Sequence, residues 1–147
     1  MKHFTCTLSF CLLMVSNTAA LSAKITDSTN LIKVSHAFIE LIAQDKTSRA
    51  YDTLRDYALA SNSEFANIKS EAMAKAAQIK AQLGPSTGTA LVKKERIENH
   101  FEKHTYLIKY GKAALVWEMT FYQANKGWQV MGVSFNTQIA NLYRTVN

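Results

Sequence analysis

Apolar residues in the first half of the chain recur every three or four positions, which is the spacing of one helical face. The earliest such set follows capping side chains at positions 27–30 and predicts a helix from about Asn30 to Gln44. Its apolar members are Leu31, Val34, Phe38, Leu41 and Ile42. Asp45, Thr47 and Ser48 then interrupt the pattern and can cap a second, shorter helix. That helix carries Ala50, Tyr51, Leu54 and Tyr57.

A third and longest helix is predicted from Ser61 to Leu83. Ser61 and Glu64 have the spacing of a capping box, in which two polar side chains satisfy the first free amides of a helix. Apolar residues follow at helical spacing, and Gly84 with Pro85 ends the run. The apolar positions are Phe65, Ile68, Ala72, Ala76, Ile79 and Leu83.

Beyond Gly88 the helical spacing gives way to the alternation of strands. Residues 89–110 are rich in branched and aromatic side chains and form either one long bent strand or two, with a tight turn at Gly111. From 112 to 122 every second residue is apolar, which predicts a strand with one wholly apolar face packed on helices. That face holds Ala113, Leu115, Trp117, Met119 and Phe121. Residues 123–127 form a hairpin loop before a last strand at 128–135. The fold class is therefore α+β, with helices first and an antiparallel sheet of three or four strands after.

The first twenty residues have the layout of a secretory signal peptide: a basic start, an apolar stretch and small residues before a cleavage point. The apolar stretch is too short for a membrane span. Cleavage is expected after Ala20, with Ser22 or Ala23 as alternatives, which leaves one domain at 21–147. A lipoprotein is disfavoured because Cys6 and Cys11 lie inside the apolar stretch. We therefore expect a secreted or periplasmic protein without a membrane span.

Export restricts the chemistry that the mature chain can perform. Both cysteines leave with the leader, which excludes disulfides and thiolate sites from the mature protein. The full chain has 17 Lys and Arg against 11 Asp and Glu, and loss of Lys2 leaves an excess of five positive charges. Outside the cytosol this excess is better explained by a lysine-rich surface than by nucleic-acid binding. No glycine-rich phosphate loop or nucleophile elbow is present, so no cofactor is predicted.

The order of elements and the run YLIKYGKAALVWEMTFYQANKGWQVMGVSF resemble the small secreted members of the nuclear transport factor 2-like superfamily. Phe38 to Asp52 is similar to their first helix, polar break and start of helix two, and Gln82 to Gly84 to the end of their third helix. The resemblance covers most of residues 30–136. It implies a cone in which a strongly curved sheet wraps around three helices, with an apolar pocket at one end. Enzymes, ligand binders and interaction modules share that shape.

Catalytic members of that superfamily often place an Asp on the strands that line the cone. Here Asp27, Asp45, Asp52 and Asp56 all lie in the helical half, so no catalytic residue carries over. Two residues are candidates for a general base. Glu118 lies among apolar positions, where burial would raise its pKa and make it a usable base. The simpler interpretation is a carboxylate on the solvent face, paired across the sheet with a lysine. His104 is the other candidate.

Alternation also puts His100, Glu102 and His104 on one face of a regular strand, close enough to share a Zn or Cu ion. The simpler interpretation is an ordinary polar outer face. Four aromatic residues, Tyr106, Tyr110, Trp117 and Trp128, could line a ligand pocket or belong to the core. The leading hypothesis is a non-catalytic module that binds a small apolar ligand or a protein partner. The alternatives are a small isomerase or hydrolase that uses Glu118 or His104, and a homodimer formed through the sheet face.

Overall fold

The computed structural model describes residues 25–124 and 127–143. Three helices come first: α1 (Ser28–Ala43), α2 (Thr47–Leu54) and α3 (Asn62–Leu83). Four strands follow: β1 (Ser86–Ile97), β2 (Phe101–Tyr110), β3 (Ala114–Ala124) and β4 (Gly127–Asn136). Short 3-10 turns lie at Arg55–Tyr57 and Ile139–Leu142. The predicted signal peptide and its cleavage point fall outside the described residues.

The helix boundaries follow from local chemistry. The Asp27 carboxylate accepts a hydrogen bond from the Asn30 amide at 3.0 Å and caps α1. The chain leaves α1 through Asp45, whose φ of +59° lies in the left-handed region. At α3 the capping box of Ser61 and Glu64 is present in full. Gly84, with φ +76°, ends that helix in a conformation that favours glycine.

The strands form one antiparallel sheet in the order β1-β2-β3-β4. The sequence left open whether residues 89–110 form one strand or two. They belong to two strands, because the chain turns at residues 98–100 and Glu98 adopts a φ of +44°. The sheet is curved and does not close. The α+β prediction is therefore confirmed, with four strands rather than three.

The inner face of the sheet packs on α1. Trp117, Met119 and Phe121 alternate along β3 and are buried, as the pattern of that strand predicts. Across from them Leu31, Phe38 and Ile39 of α1 are completely buried. The core therefore lies between α1 and the middle of the sheet.

Helix α3 is attached differently, because Phe65 is its one buried residue. Ala72, Ile79 and Leu83 are only partly buried against the core. Helix α3 therefore rests on α2 and on one end of the sheet, and gaps remain along its sides. No helix in the described part of the chain is both long and apolar enough to cross a bilayer.

Candidate functional site

A groove runs between α2 and α3, and we call it the outer groove. Its volume is about 460 Å³, which is within the usual range for sites that bind small molecules. Its floor is made by Met73, Ala76 and Ala77 of α3, and its rim is polar. The other lining residues are Asp45, Lys46, Thr47, Ser48, Arg49, Asp52 and Lys80.

A smaller space, the inner chamber, lies deeper under α3 and adjoins the outer groove. The two share Asp45, Thr47, Ala76 and Lys80 as wall residues. The rest of the chamber wall is mainly apolar and consists of Ile42, Ala72, Ile79, Tyr110, Trp117 and Phe135. Its volume is about 20 Å³, which is room for one water-sized group. The chamber can therefore hold a single ligand oxygen but not a whole ligand.

Trp117 is the unusual member of the chamber wall. Its side chain is 4% exposed, and its ring stacks on Phe135 with a centroid distance of 4.9 Å. Its indole Nε1–H is the one buried side-chain polar atom in residues 25–124 and 127–143 without a hydrogen-bond partner. An unpaired buried donor costs free energy, so an acceptor supplied by a ligand would be favoured here.

A second space of about 320 Å³ borders Trp117 on the side of Ile68 and Lys75. The inner chamber is the more enclosed of the two, and a hydrogen bond gains most where water is excluded. The chamber is therefore the better place for an acceptor that pairs with Trp117.

The rim of the outer groove carries more positive charge than its own carboxylates neutralise. Lys80 pairs with Asp45 at 2.9 Å, and Lys69 pairs with Asp52 at 2.5 Å. Arg49 has no ion-pair partner among the described residues. The ammonium group of Lys46 donates to the side-chain amide oxygen of Gln44 at 2.8 Å, so its charge is also uncompensated.

A separate polar cluster lies in the core between α1 and β2. The Ser35 hydroxyl is 2.7 Å from His104 Nδ1 and 2.8 Å from the Tyr106 hydroxyl. His104 Nε2 is 2.7 Å from Glu102 Oε1, and the other oxygen of Glu102 accepts hydrogen bonds from the guanidinium of Arg96. Ser35 and His104 are completely buried.

The proton positions in this cluster follow by elimination. Burial alone would raise the pKa of Glu102, but the hydrogen bonds from His104 and Arg96 outweigh it and lower that pKa. An ionised Glu102 only accepts, so His104 carries its proton on Nε2 and accepts on Nδ1. The Ser35 hydroxyl has one proton and two acceptors within reach, His104 Nδ1 at 2.7 Å and the Ile32 carbonyl oxygen at 3.1 Å. Because His104 Nδ1 is the nearer, Ser35 donates to it and accepts from Tyr106. Burial lowers the pKa of His104 despite the opposing effect of Glu102, which keeps the ring neutral.

Serine, histidine and glutamate in hydrogen-bonded sequence have the composition of a hydrolytic triad, but substrate access is missing. Ser35 and His104 line none of the cavities described here. The arrangement therefore joins α1 to the sheet through satisfied polar groups.

The other predicted base, Glu118, lies on the outer face of the sheet. It points away from the helices because its neighbour Trp117 points toward them. Its carboxylate is 3.5 Å from Lys103 Nζ, and Lys103 also pairs with Glu95 at 3.1 Å. This is the paired surface carboxylate that the sequence offered as the simpler alternative.

The three predicted metal ligands are not brought together. His100 belongs to the turn before β2, so the assumption of a regular strand through residues 100–104 is wrong. Its imidazole is exposed and lies 3.9 Å from Glu98. Glu102 and His104 do share a face, but it is the inner one, so the alternative of a polar outer face is wrong as well. No group of three or more potential metal ligands occurs among the described residues.

Of the four aromatic residues predicted to line a pocket, two line the inner chamber and two do not. Tyr110 and Trp117 both line the inner chamber. Tyr106 belongs to the buried polar cluster, and Trp128 is buried beside Ile25, with which it exchanges two backbone hydrogen bonds. The sequence did not identify Ser35 or the outer groove. Ser35 could have been noticed as the one polar residue on the apolar face of α1 that holds Leu31, Phe38 and Ile42.

Comparisons of the chain with known protein families, curated proteins and solved structures found no match. The function is therefore inferred from the geometry of the site itself.

Proposed function

We propose that this protein is a non-catalytic binding module for a small, largely apolar ligand that carries one hydrogen-bond acceptor. The ligand body lies in the outer groove between α2 and α3, and its acceptor oxygen enters the inner chamber. The observation that carries this proposal is the unpaired, buried indole N–H of Trp117 in the wall of that chamber.

The dimensions of the two spaces support this division. The volume of the outer groove is sufficient for the body of a small ligand, whereas the chamber fits one oxygen. Entry needs only a small outward movement of α3. Because Phe65 is the one buried residue of that helix, such a movement exposes little apolar surface.

The simple methyl ketone 2-octanone is a suitable probe, because it joins one carbonyl oxygen to a flexible apolar chain. We expect isothermal titration calorimetry to show saturable 1:1 binding of 2-octanone to the protein. Trp117→Phe keeps an aromatic ring but removes the donor, which should weaken binding by about 0.5–1.5 kcal/mol. The matched control Trp128→Phe alters a buried tryptophan that lines neither the outer groove nor the inner chamber and should bind as the unmodified protein does. Absence of binding, or equal losses in the two variants, would contradict the proposal.

The catalytic alternative, a small isomerase or hydrolase, has less support from the described residues. Glu118 is engaged by Lys103 on the outer face, and the ring of His104 is sealed in the core. A general base must come within hydrogen-bond reach of a substrate proton, and neither candidate borders the outer groove or the inner chamber.

We also propose that the protein is exported, and that its fold belongs with the nuclear transport factor 2-like domains. The order of three helices followed by a curved antiparallel sheet supports the second proposal. N-terminal sequencing of the protein from the exporting host tests the first, with Leu21 expected as the first residue. A homodimer through the outer sheet face stays a prediction, and light scattering after size-exclusion chromatography would test it.

A further inference from the structure

The rim of the outer groove indicates the chemical class of the ligand. The first turn of α2 opens onto the outer groove, and no side chain caps it. The first amides of a helix have no partner within it and carry partial positive charge. An uncapped helix start beside a groove is a favourable position for an anion.

Thr47, the first residue of α2, is a second feature that indicates a ligand at this position. Its side chain is 7% exposed, and it lines both the outer groove and the inner chamber. Its hydroxyl makes none of the hydrogen bonds found among the described residues. That hydroxyl is still reached by solvent, because Trp117 Nε1 is the one fully buried side-chain polar atom without a partner among the described residues. It is therefore free to donate to a ligand oxygen where the first turn of α2 meets the groove.

The net charge of the rim has the matching sign. Asp45 and Asp52 each pair with a lysine. Arg49 and Lys46 have no carboxylate partner among the described residues. A guanidinium group presents paired donors that fit the two oxygens of a carboxylate. Arg49, the Thr47 hydroxyl and the α2 amides therefore form a set of donors without an acceptor at one end of an apolar groove.

We propose that the ligand is a small keto acid or similar carboxylate with an apolar body. Its carboxylate binds Arg49, Thr47 and the first turn of α2, and its second oxygen accepts from Trp117. This inference rests on the proposed function, because the apolar body and the second oxygen use the same groove and chamber.

A pair of probes separates the two proposals. The compound 7-oxo-octanoate is 2-octanone with its last methyl group replaced by a carboxylate, so the two differ only at the end expected to lie by α2. At low ionic strength calorimetry should give a dissociation constant about tenfold smaller for 7-oxo-octanoate. The advantage should shrink as salt is added.

Two charge-removing variants locate the carboxylate. Arg49→Gln should abolish the advantage of 7-oxo-octanoate over 2-octanone, so that the two compounds bind this variant with similar dissociation constants. Lys75→Gln removes the same charge from α3 but lines the space on the other side of that helix, so the advantage should persist. Both residues are exposed, so both variants should fold, and circular dichroism checks that they do.

The outcomes are distinct. If 2-octanone and 7-oxo-octanoate bind equally, the carboxylate site is refuted and the proposed function stands. The same holds if Lys75→Gln rather than Arg49→Gln removes the difference. If inorganic phosphate binds as tightly as 7-oxo-octanoate, the rim is only an anion site and the inference fails. If neither organic probe binds, the proposed function itself fails.

Discussion

Replacing Ser35 by alanine is the most informative change in the core, because one hydroxyl satisfies two other buried groups. Ser35 lies 2.7 Å from His104 Nδ1 and 2.8 Å from the Tyr106 hydroxyl, and none of the three side chains is more than 1% exposed. In Ser35→Ala the His104 acceptor and the Tyr106 donor lose their shared partner, and the space is too closed for bulk water to replace it.

The expected cost can be worked from this geometry. A buried polar group left without a partner costs about 1–3 kcal/mol, and the change leaves two. Alanine is the better helix former by up to about 0.7 kcal/mol, which offsets a small part. The free energy of unfolding should therefore fall by about 1–5 kcal/mol. Adding Tyr106→Phe removes one of the two stranded groups, so the double variant should lose less than the sum of the single changes.

Urea denaturation followed by circular dichroism measures these free energies. The matched control is Ser70→Ala, which makes the same substitution at an exposed position of α3 and should change stability by no more than about 0.5 kcal/mol. If Ser35→Ala is as mild as Ser70→Ala, or if the effects of Ser35→Ala and Tyr106→Phe simply add, the hydrogen-bonded cluster is not the one described.

Three further predictions concern pH, a helix cap and the outer face. Burial lowers the pKa of His104 below its usual 6.5, so the unfolded chain binds the proton more tightly than the folded one. The free energy of unfolding should therefore fall as the pH drops below about 6.5, by at most about 1.4 kcal/mol per pH unit. Urea midpoints from pH 5 to 8 test this, and His104→Gln should remove the slope. Ser61→Ala breaks the capping box and should cost about 1 kcal/mol, with faster amide exchange confined to the start of α3; uniform acceleration would contradict this. Glu118→Gln removes the surface ion pair with Lys103 and should lower the free energy of unfolding by less than about 1 kcal/mol with unchanged ligand affinity. Loss of ligand binding would show that Glu118 belongs to the binding site.

The sequence predicted best what is decided by neighbours along the chain. The Ser61 cap, the Gly84 end and the Asp45 break each fall where the pattern puts them, because capping and positive φ are local. The alternation from Leu115 to Phe121 also predicted the buried face of β3 correctly, since a half-buried strand has a strict period of two.

The errors arise where one local departure changes the direction of side chains. Residues 98–100 carry no glycine, so the turn that removes His100 from the strand was not predicted. Glu102 and His104 are polar and were placed on the outer face, yet Ser35 and Arg96 satisfy them on the inner one. Such pairing depends on contacts between residues distant in sequence, and no pattern along the chain reveals it.

The outer groove could not be predicted at all. It depends on how α3 lies against α2, and that packing is fixed by a few tertiary contacts such as Phe65 with Tyr51 and Lys69 with Asp52. Of the residues predicted to bind a ligand, Tyr110 and Trp117 line the inner chamber because strand pairing brings their ends of β2 and β3 beside α3.

The indole N–H of Trp117 is the most direct probe of the central claim that a ligand oxygen pairs with it. Proton–nitrogen correlation spectra contain one indole signal for each of Trp117 and Trp128, and Trp117→Phe assigns them. Titration with 2-octanone should shift the Trp117 proton downfield, as a new hydrogen bond does, and leave Trp128 in place. A Trp117 signal that stays unmoved while calorimetry shows saturation would contradict the account.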